Sequence, residues 1–243
     1  MAAKDSIRAA PRGDIPAVSK PLLPSEEWPV LPVGRSWAKR VFDIGFSVLV
    51  LALTMPLMAV IAALVRLDSR GPAVFTQERV GRGGRRFRCY KFRTMRSRSC
   101  DGVHREYVTN LIKADVAYEG DDEERIYKVT DDPRVTGVGR CLRKTGLDEL
   151  PQFWNVLRGD MSVVGPRPPL PYEMELYSDR HLERLLCRPG ITGLWQVSGR
   201  SRVGFEQMVE LDLQYLCEWS FGLDLKIIAR TIPEVLGLGR NGF

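Results

Sequence analysis

Two adjacent carboxylates, Asp148 and Glu149, follow Arg143 in the segment Arg143-Lys-Thr-Gly-Leu-Asp-Glu-Leu-Pro-Gln152, and the stiff turn Gly165-Pro-Arg-Pro168 comes soon after. A carboxylate held beside basic side chains stays ionised, and an ionised carboxylate can attack a phosphorus centre or hold a divalent cation. An arginine mounted on a rigid turn can meet phosphate with two parallel hydrogen bonds. Asp148, Glu149, Arg143 and Arg167 are therefore a candidate phosphate-handling set. A plainer reading fits the same residues, because Thr145-x-x-Asp148 matches a capping box in which Asp148 merely caps a helix.

Leu147, Leu150, Trp154 and Leu157 recur at helical spacing, which predicts a helix capped by Thr145, with an apolar face and with Asp148, Gln152 and Asn155 on its polar face. Upstream, Arg79–Met95 reads as a glycine-turned β-hairpin. Basic and apolar residues alternate along Phe87–Arg93, which puts Lys91 and Arg93 on one cationic face. That face suits the same phosphate, anionic lipid, or a nucleic acid. The glycine-rich loop Pro189–Arg200, with Trp195, suits a sugar or nucleobase, or is a structured turn that packs the indole.

Composition narrows the chemistry. Thirty-six Lys and Arg against thirty Asp and Glu leave a net charge of +6, which favours an anionic partner. Five cysteines show no zinc spacing, and the two histidines are His104 and His181. A zinc enzyme or a serine–histidine hydrolase is disfavoured, and a metal would be Mg²⁺ on carboxylates.

The elements that must position these residues begin with Val41–Val65, an apolar run of 25 residues, long enough to span a bilayer. Pro56 near its centre removes a helical hydrogen bond. Lys39 and Arg40 precede the run, while Arg66, Arg70 and the basic Arg79–Arg98 stretch follow it. By the positive-inside rule both ends stay cytoplasmic. A helix broken at Pro56 would then enter one leaflet and return, with Thr54 serving the freed backbone groups and Asp43 at headgroup depth. A single span is the alternative. Met1–Gly34, rich in Pro and Ala, is expected to be a disordered tail and lacks the apolar core of a signal peptide. Ser97–Lys128 is expected to be a polar surface excursion. Near the C-terminus Phe205, Met208, Val209, Leu216 and Trp219 form an apolar stripe that includes Asp212, a carboxylate in need of a cationic partner. The apolar last helix is expected at the interface, with Trp219 at headgroup level.

Taken in order, these motifs resemble those of the bacterial sugar transferases, small monotopic phosphoglycosyl transferases that start glycan assembly on polyprenol phosphate. The matching residues are Lys39-Arg-Val-Phe-Asp43, Gly71-Pro-x-x-Phe-Thr-Gln-Glu-Arg79, Tyr90-Lys-Phe-Arg-Thr-Met95 and Asp132-Pro-Arg-Val-Thr136. They continue through Leu147-Asp-Glu-Leu-Pro-Gln152, Asn155-Val-Leu-x-Gly-Asp-Met-Ser162, Val164-Gly-Pro-Arg-Pro168, Arg188-Pro-Gly-Ile-Thr-Gly-x-Trp-Gln-Val197 and Gly199-Arg200. Together they span 36–243. The resemblance implies that Asp148 attacks the β-phosphate of a UDP-sugar, expelling UMP and leaving a covalent aspartyl-phosphosugar. A polyprenol phosphate, undecaprenyl phosphate being the expected one, then takes the sugar phosphate. Glu149 completes the dyad with Mg²⁺, and Arg143 and Arg167 neutralise phosphate charge. Two positions depart from the family. Met55-Pro56 stands where Ser-Pro is usual, and Gly146 replaces a Ser, which is expected to loosen the turn into the catalytic helix.

The expected fold is α+β and mainly helical. It comprises a disordered tail over 1–35, a re-entrant membrane helix over 36–67 broken at Pro56, and a catalytic domain over 68–243 that carries a small basic β-hairpin. The expected place is the cytoplasmic leaflet of the bacterial inner membrane, in exopolysaccharide or O-antigen assembly, with no nucleic acid as partner and a homodimer left open. The rival class is a membrane-tethered nucleic-acid-binding protein using Arg79–Arg98. The sugar is not legible, although Gly239-Arg-Asn-Gly-Phe243 loosely resembles the endings of hexose-1-phosphate transferases, which suggests glucose or galactose.

Overall fold

A computed structural model of the chain describes residues 36–96, 109, 134–198 and 204–235. The expectations for the 1–35 tail, the Ser97–Lys128 excursion and the Gly239–Phe243 ending lie outside them. Ser36 starts the first helix, its hydroxyl accepting from the Lys39 N–H at 3.2 Å, and α1 then runs over Trp37–Asp68. One stripe of α1 is buried at Lys39, Asp43, Ser47, Ile61 and Val65. The rest exposes large apolar side chains, among them Val48, Leu49, Leu53, Leu57, Val60 and Leu64. Such a surface is at home in lipid, and α1 is long and apolar enough to cross a membrane.

Helix α1 is assigned as one element, with Pro56 inside it. The missing N–H costs only the bond to the Ala52 carbonyl. Thr54 does not replace that donor, since its hydroxyl donates to the Val50 carbonyl at 2.7 Å. Asp43 is buried inside the protein, where its carboxylate accepts from the Ser162 hydroxyl at 2.8 Å and the Val163 N–H at 3.1 Å. Lys39 pairs with Asp224 at 2.6 Å, and Arg40 donates to the carbonyls of Val156 and Leu157 at 2.6 and 2.9 Å. At the far end Arg93 donates to the carbonyls of Val65 and Ser69 at 3.2 and 2.6 Å. Both ends of the apolar helix are thus bonded into the same domain.

Strands β1 (Val74–Val80) and β2 (Arg86–Phe92) pair antiparallel around a turn in which Gly83 and Gly84 take positive φ. Helix α2 (Gly137–Thr145) is capped by Thr136, whose hydroxyl accepts from Gly139 at 3.0 Å. A 3₁₀ turn at Leu147–Glu149 and helix α3 (Gln152–Arg158) follow. Strand β3 (Ser162–Val164) lies parallel to β4 (Gly190–Thr192), with the short α4 (Asp179–Leu182) between them in sequence. Then come α5 (Leu194–Ser198), α6 (Phe205–Cys217) and α7 (Phe221–Val235). The described chain is therefore mostly helical with two small sheets, an α+β arrangement. Val156, Met161, Val163, Val164, Tyr215, Leu216 and Ile227 form a core that joins α3, β3, α6 and α7.

The helix predicted from Thr145 is also different. Thr145 is the last residue of α2, and its hydroxyl donates to the carbonyls of Cys141 and Leu142, so no capping box forms with Asp148. The polar face is the one that turns inward, burying Gln152 and Asn155 while Trp154 stays 54% exposed. Trp219 donates its indole N–H to Asp224 at 3.2 Å. Asp212 does find its cation, for Arg184 donates to it through Nε at 2.8 Å and pairs through Nη2 at 2.6 Å. Replacing Arg184 by Met strands Asp212 in the core. The expected loss is about 3–5 kcal/mol of unfolding free energy in denaturant titration, and Arg184→Met with Asp212→Leu is expected to recover most of it.

Candidate active site

Helix α2 must end abruptly for the two carboxylates to leave its axis, and Gly146 ends it at φ 66°, ψ 6°, a left-handed conformation that suits glycine. Gly146 therefore does not loosen the turn, as expected from the sequence, but shapes it. Asp148 and Glu149 sit in the 3₁₀ turn that starts there. Asn155, on α3 and fully buried, fixes that region to the hairpin. Its carbonyl accepts from the Tyr90 N–H at 3.1 Å and its amide donates to the Arg88 carbonyl at 2.7 Å, occupying the free edge of β2. Lys91, next along β2, reaches Glu149 at 2.5 Å.

The Pro166-Arg167-Pro168 segment closes the opposite side. It leaves β3 pressed against β4 so closely that a Cβ on Gly190 would lie 2.1 Å from the Gly165 nitrogen. Between these walls is a shallow, solvent-open cleft, lined among others by Arg79, Lys91, Glu149, Gln152, Arg167 and Gln196. Arg167 is exposed there and has no hydrogen-bond partner among the described residues. Asp148 does not line the cleft itself and is 9% exposed. Of the other expected residues, Arg143 donates through Nε to the Thr94 hydroxyl at 2.9 Å. Arg93 does not line the cleft, its Nη2 donating instead to the carbonyls at the end of α1.

The two carboxylates are driven apart. Burial pushes Asp148 up to about 6, Lys91 and Arg143 opposing the rise and Glu149 adding to it. For Glu149 burial acts upward too, but Lys91 first and Arg167 next outweigh it, and its pKa falls below the usual carboxylate range. Neighbouring acids split in this way take different roles. Glu149 is a committed anion, while Asp148 is a poorly solvated carboxylate and hence a strong nucleophile once ionised. Lys91, Arg79 and Arg167 make the cleft cationic and suited to phosphate.

Among the described residues no three His, Cys, Asp or Glu side chains gather as a complete metal cage. Two adjacent carboxylates do fit Mg²⁺, which takes its remaining oxygens from water and substrate phosphates. Gln152 and Asn155 lie on the polar face that the spacing predicts, Asn155 bonding to β2 from it, while Arg79 carries no local mark that separates it from the rest of the basic stretch. The three-residue spacing of Gln152 and Asn155 beside the carboxylates was the available signal.

The family model for bacterial sugar transferases matches residues 34–237, and the chain belongs to that family. It is 46% identical over 200 residues to the galactosyl transferase CpsE of Streptococcus agalactiae, covering 82% of this chain and 42% of the relative. It is 45% identical over 213 residues to the exopolysaccharide production protein ExoY of Rhizobium meliloti, covering 88% of this chain and 91% of the relative. Identity is also 45% over 198 residues to the undecaprenyl-phosphate galactose phosphotransferase of Salmonella typhimurium, covering 82% of this chain and 40% of the relative. The match thus takes in most of ExoY and less than half the length of each of the other two relatives.

The raised pKa of Asp148 carries a stability prediction. A carboxyl whose folded pKa lies near 6 against 3.8 unfolded favours folding when protonated, so its contribution drains away as pH rises from about 4 to 6. Holding Asp148 ionised at neutral pH then costs about 3 kcal/mol. Asp148→Asn is expected to raise the thermal unfolding midpoint at pH 7.5, with the gain vanishing near pH 4.

Proposed function

We propose that the chain transfers a sugar 1-phosphate from a UDP-sugar to a polyprenol phosphate in two displacements at Asp148. The observation that carries this reading is a buried carboxylate with a raised pKa, in one turn with an ion-paired carboxylate, beside a cleft whose charged lining is otherwise cationic. The names of relatives support the substrates, since one is an undecaprenyl-phosphate galactose phosphotransferase and another an exopolysaccharide production protein.

In the first displacement an Asp148 oxygen bonds to the β-phosphorus, the bond to the bridging oxygen breaks, and its electron pair leaves with UMP. In the second, an oxygen of the polyprenol phosphate attacks the same phosphorus and Asp148 departs as a carboxylate. Dividing the reaction lets a soluble donor and a membrane-bound acceptor use one site in turn. Arg167, Lys91 and Arg143 meet the phosphate charge. The lowered pKa of Glu149 suits it to holding a cation rather than taking a proton, and Mg²⁺ held by Asp148 and Glu149 would neutralise phosphate oxygens.

A chain that works on both substrates must sit at a membrane surface. The attachment of both ends of α1 to one domain supports a re-entrant placement on the cytoplasmic leaflet, because a helix that crosses the bilayer delivers its ends to opposite faces.

With UDP-hexose, Mg²⁺ and undecaprenyl phosphate, the purified chain is expected to release UMP, and Asp148→Asn to lower the rate by about a thousandfold or more. UMP release by Asp148→Asn at the parental rate overturns the nucleophile. Salt-sensitive DNA binding without UMP release supports the nucleic-acid class instead. Because Asp148 attacks only when ionised, the parental rate is expected to climb with pH through about 6 and then level off. Cysteines placed at Ser36 and Ser69 are expected to react with an impermeant thiol reagent from the cytoplasmic side alone, and labelling from opposite sides would restore a single span.

A further inference from the structure

Arg79 is 6% exposed, yet its side chain lines the cleft. Its guanidinium forks between two neutral acceptors, the Pro168 carbonyl at 2.9 Å and the Gln77 side-chain oxygen at 2.8 Å. Among the described residues no carboxylate lies within ion-pair distance of it. Burial first, and then the nearby Arg167, lower its pKa, while Glu173 and Glu149 act weakly in the other direction. A buried cation without a carboxylate is costly, and one beside a second arginine more so.

Holding the loop does not require that cost. The loop backbone is already secured by Val80 N–H to the Pro169 carbonyl at 2.9 Å, Gly165 N–H to the Thr192 carbonyl at 2.9 Å, and Gly190 N–H to the Pro166 carbonyl at 2.8 Å. What Arg79 adds is a fixed positive charge on the cleft wall and a grip on the carbonyl one residue beyond Arg167. A cluster of Arg79, Arg167 and Lys91, in which only Lys91 is paired with a carboxylate, matches a ligand bearing more than one phosphate.

We propose that Arg79 is a diphosphate-binding and positioning residue, whose fork on Pro168 sets Arg167 toward the cleft and whose charge is neutralised when the diphosphate of a nucleotide sugar binds. The nucleotide sugar in this statement rests on the proposed function, whereas the diphosphate rests on the cleft. An arginine is needed because only its planar fork serves both acceptors while keeping the charge.

Calorimetric titration of the full chain in lipid nanodiscs with inorganic pyrophosphate tests the site without any turnover. Arg79→Met is expected to weaken pyrophosphate binding about tenfold or more, and Arg79→Lys, which keeps the charge and loses the fork, by less. In the UMP-release assay Arg79→Met is expected to raise KM for the UDP-hexose by more than it lowers kcat. Its thermal midpoint without ligand is expected to stay at or above the parental value, because an uncompensated buried charge is gone. Pyrophosphate binding by Arg79→Met at parental strength overturns the proposal, as does a lowered midpoint with unchanged affinity in Arg79→Lys. If no UDP-sugar releases UMP while pyrophosphate affinity still depends on Arg79, the site stands and the proposed donor falls.

Discussion

The contact between Lys91 and Glu149, 2.5 Å long and largely shielded from solvent, fixes the charge of one of two neighbouring carboxylates, while burial sets the other. It joins the hairpin to the 3₁₀ turn, so strand β2 and the carboxylate pair cannot move independently. It holds Glu149 as an anion, and that anion in turn raises the cost of ionising Asp148 beside it. Asn155 keeps the two elements in register by pairing with the backbone of Arg88 and Tyr90, and Gly146 turns the chain so that the pair can be made. Removing any of these three supports alters the chemistry of Asp148 without touching it.

The charged residues of α1 have a similar economy. Lys39, Arg40 and Asp43 precede or enter an apolar helix, where charges are expensive unless paired. Each is consumed by the domain: Lys39 by Asp224, Asp43 by Ser162 and Val163, Arg40 by the end of α3. Asp224 also accepts from Tyr215 and Trp219, so the start of α1 is tied into α6 and α7 together. The apolar helix is thereby built into the domain rather than appended to it. The carboxylate turn and the exposed apolar surface of α1 consequently belong to one framework, as the proposed transfer from a soluble donor to a lipid acceptor would require.

Much of this was legible in the sequence because it rested on local signals. The apolar run, the glycine-turned hairpin, the adjacent carboxylates and the rigid Pro-Arg-Pro segment each declare themselves within a few residues. The need of Asp212 for a cation followed from the cost of burial, although nothing local pointed to Arg184, 28 residues upstream. The failures share a cause. Thr145 looked like a cap and Trp154 like core because periodicity describes a helix in isolation, whereas here the hairpin edge demanded the polar face. The carboxylate of Asp43 bonds to β3, a partner that no local signal in the sequence names. Arg93 looked equivalent to Lys91 by alternation, but it sits just past the end of β2, where the carbonyls ending α1 capture it. Arg79 was hidden because a buried, unpaired cation resembles any other basic residue until its neighbours are known.

The proposed covalent intermediate on Asp148 is tested most directly by intact-protein and peptide mass spectrometry after incubation with UDP-hexose and Mg²⁺, without acceptor. A mass gain of one hexose phosphate, located on Asp148 and discharged by adding undecaprenyl phosphate, is the predicted result. Turnover with no adduct, or an adduct on Glu149, would contradict it.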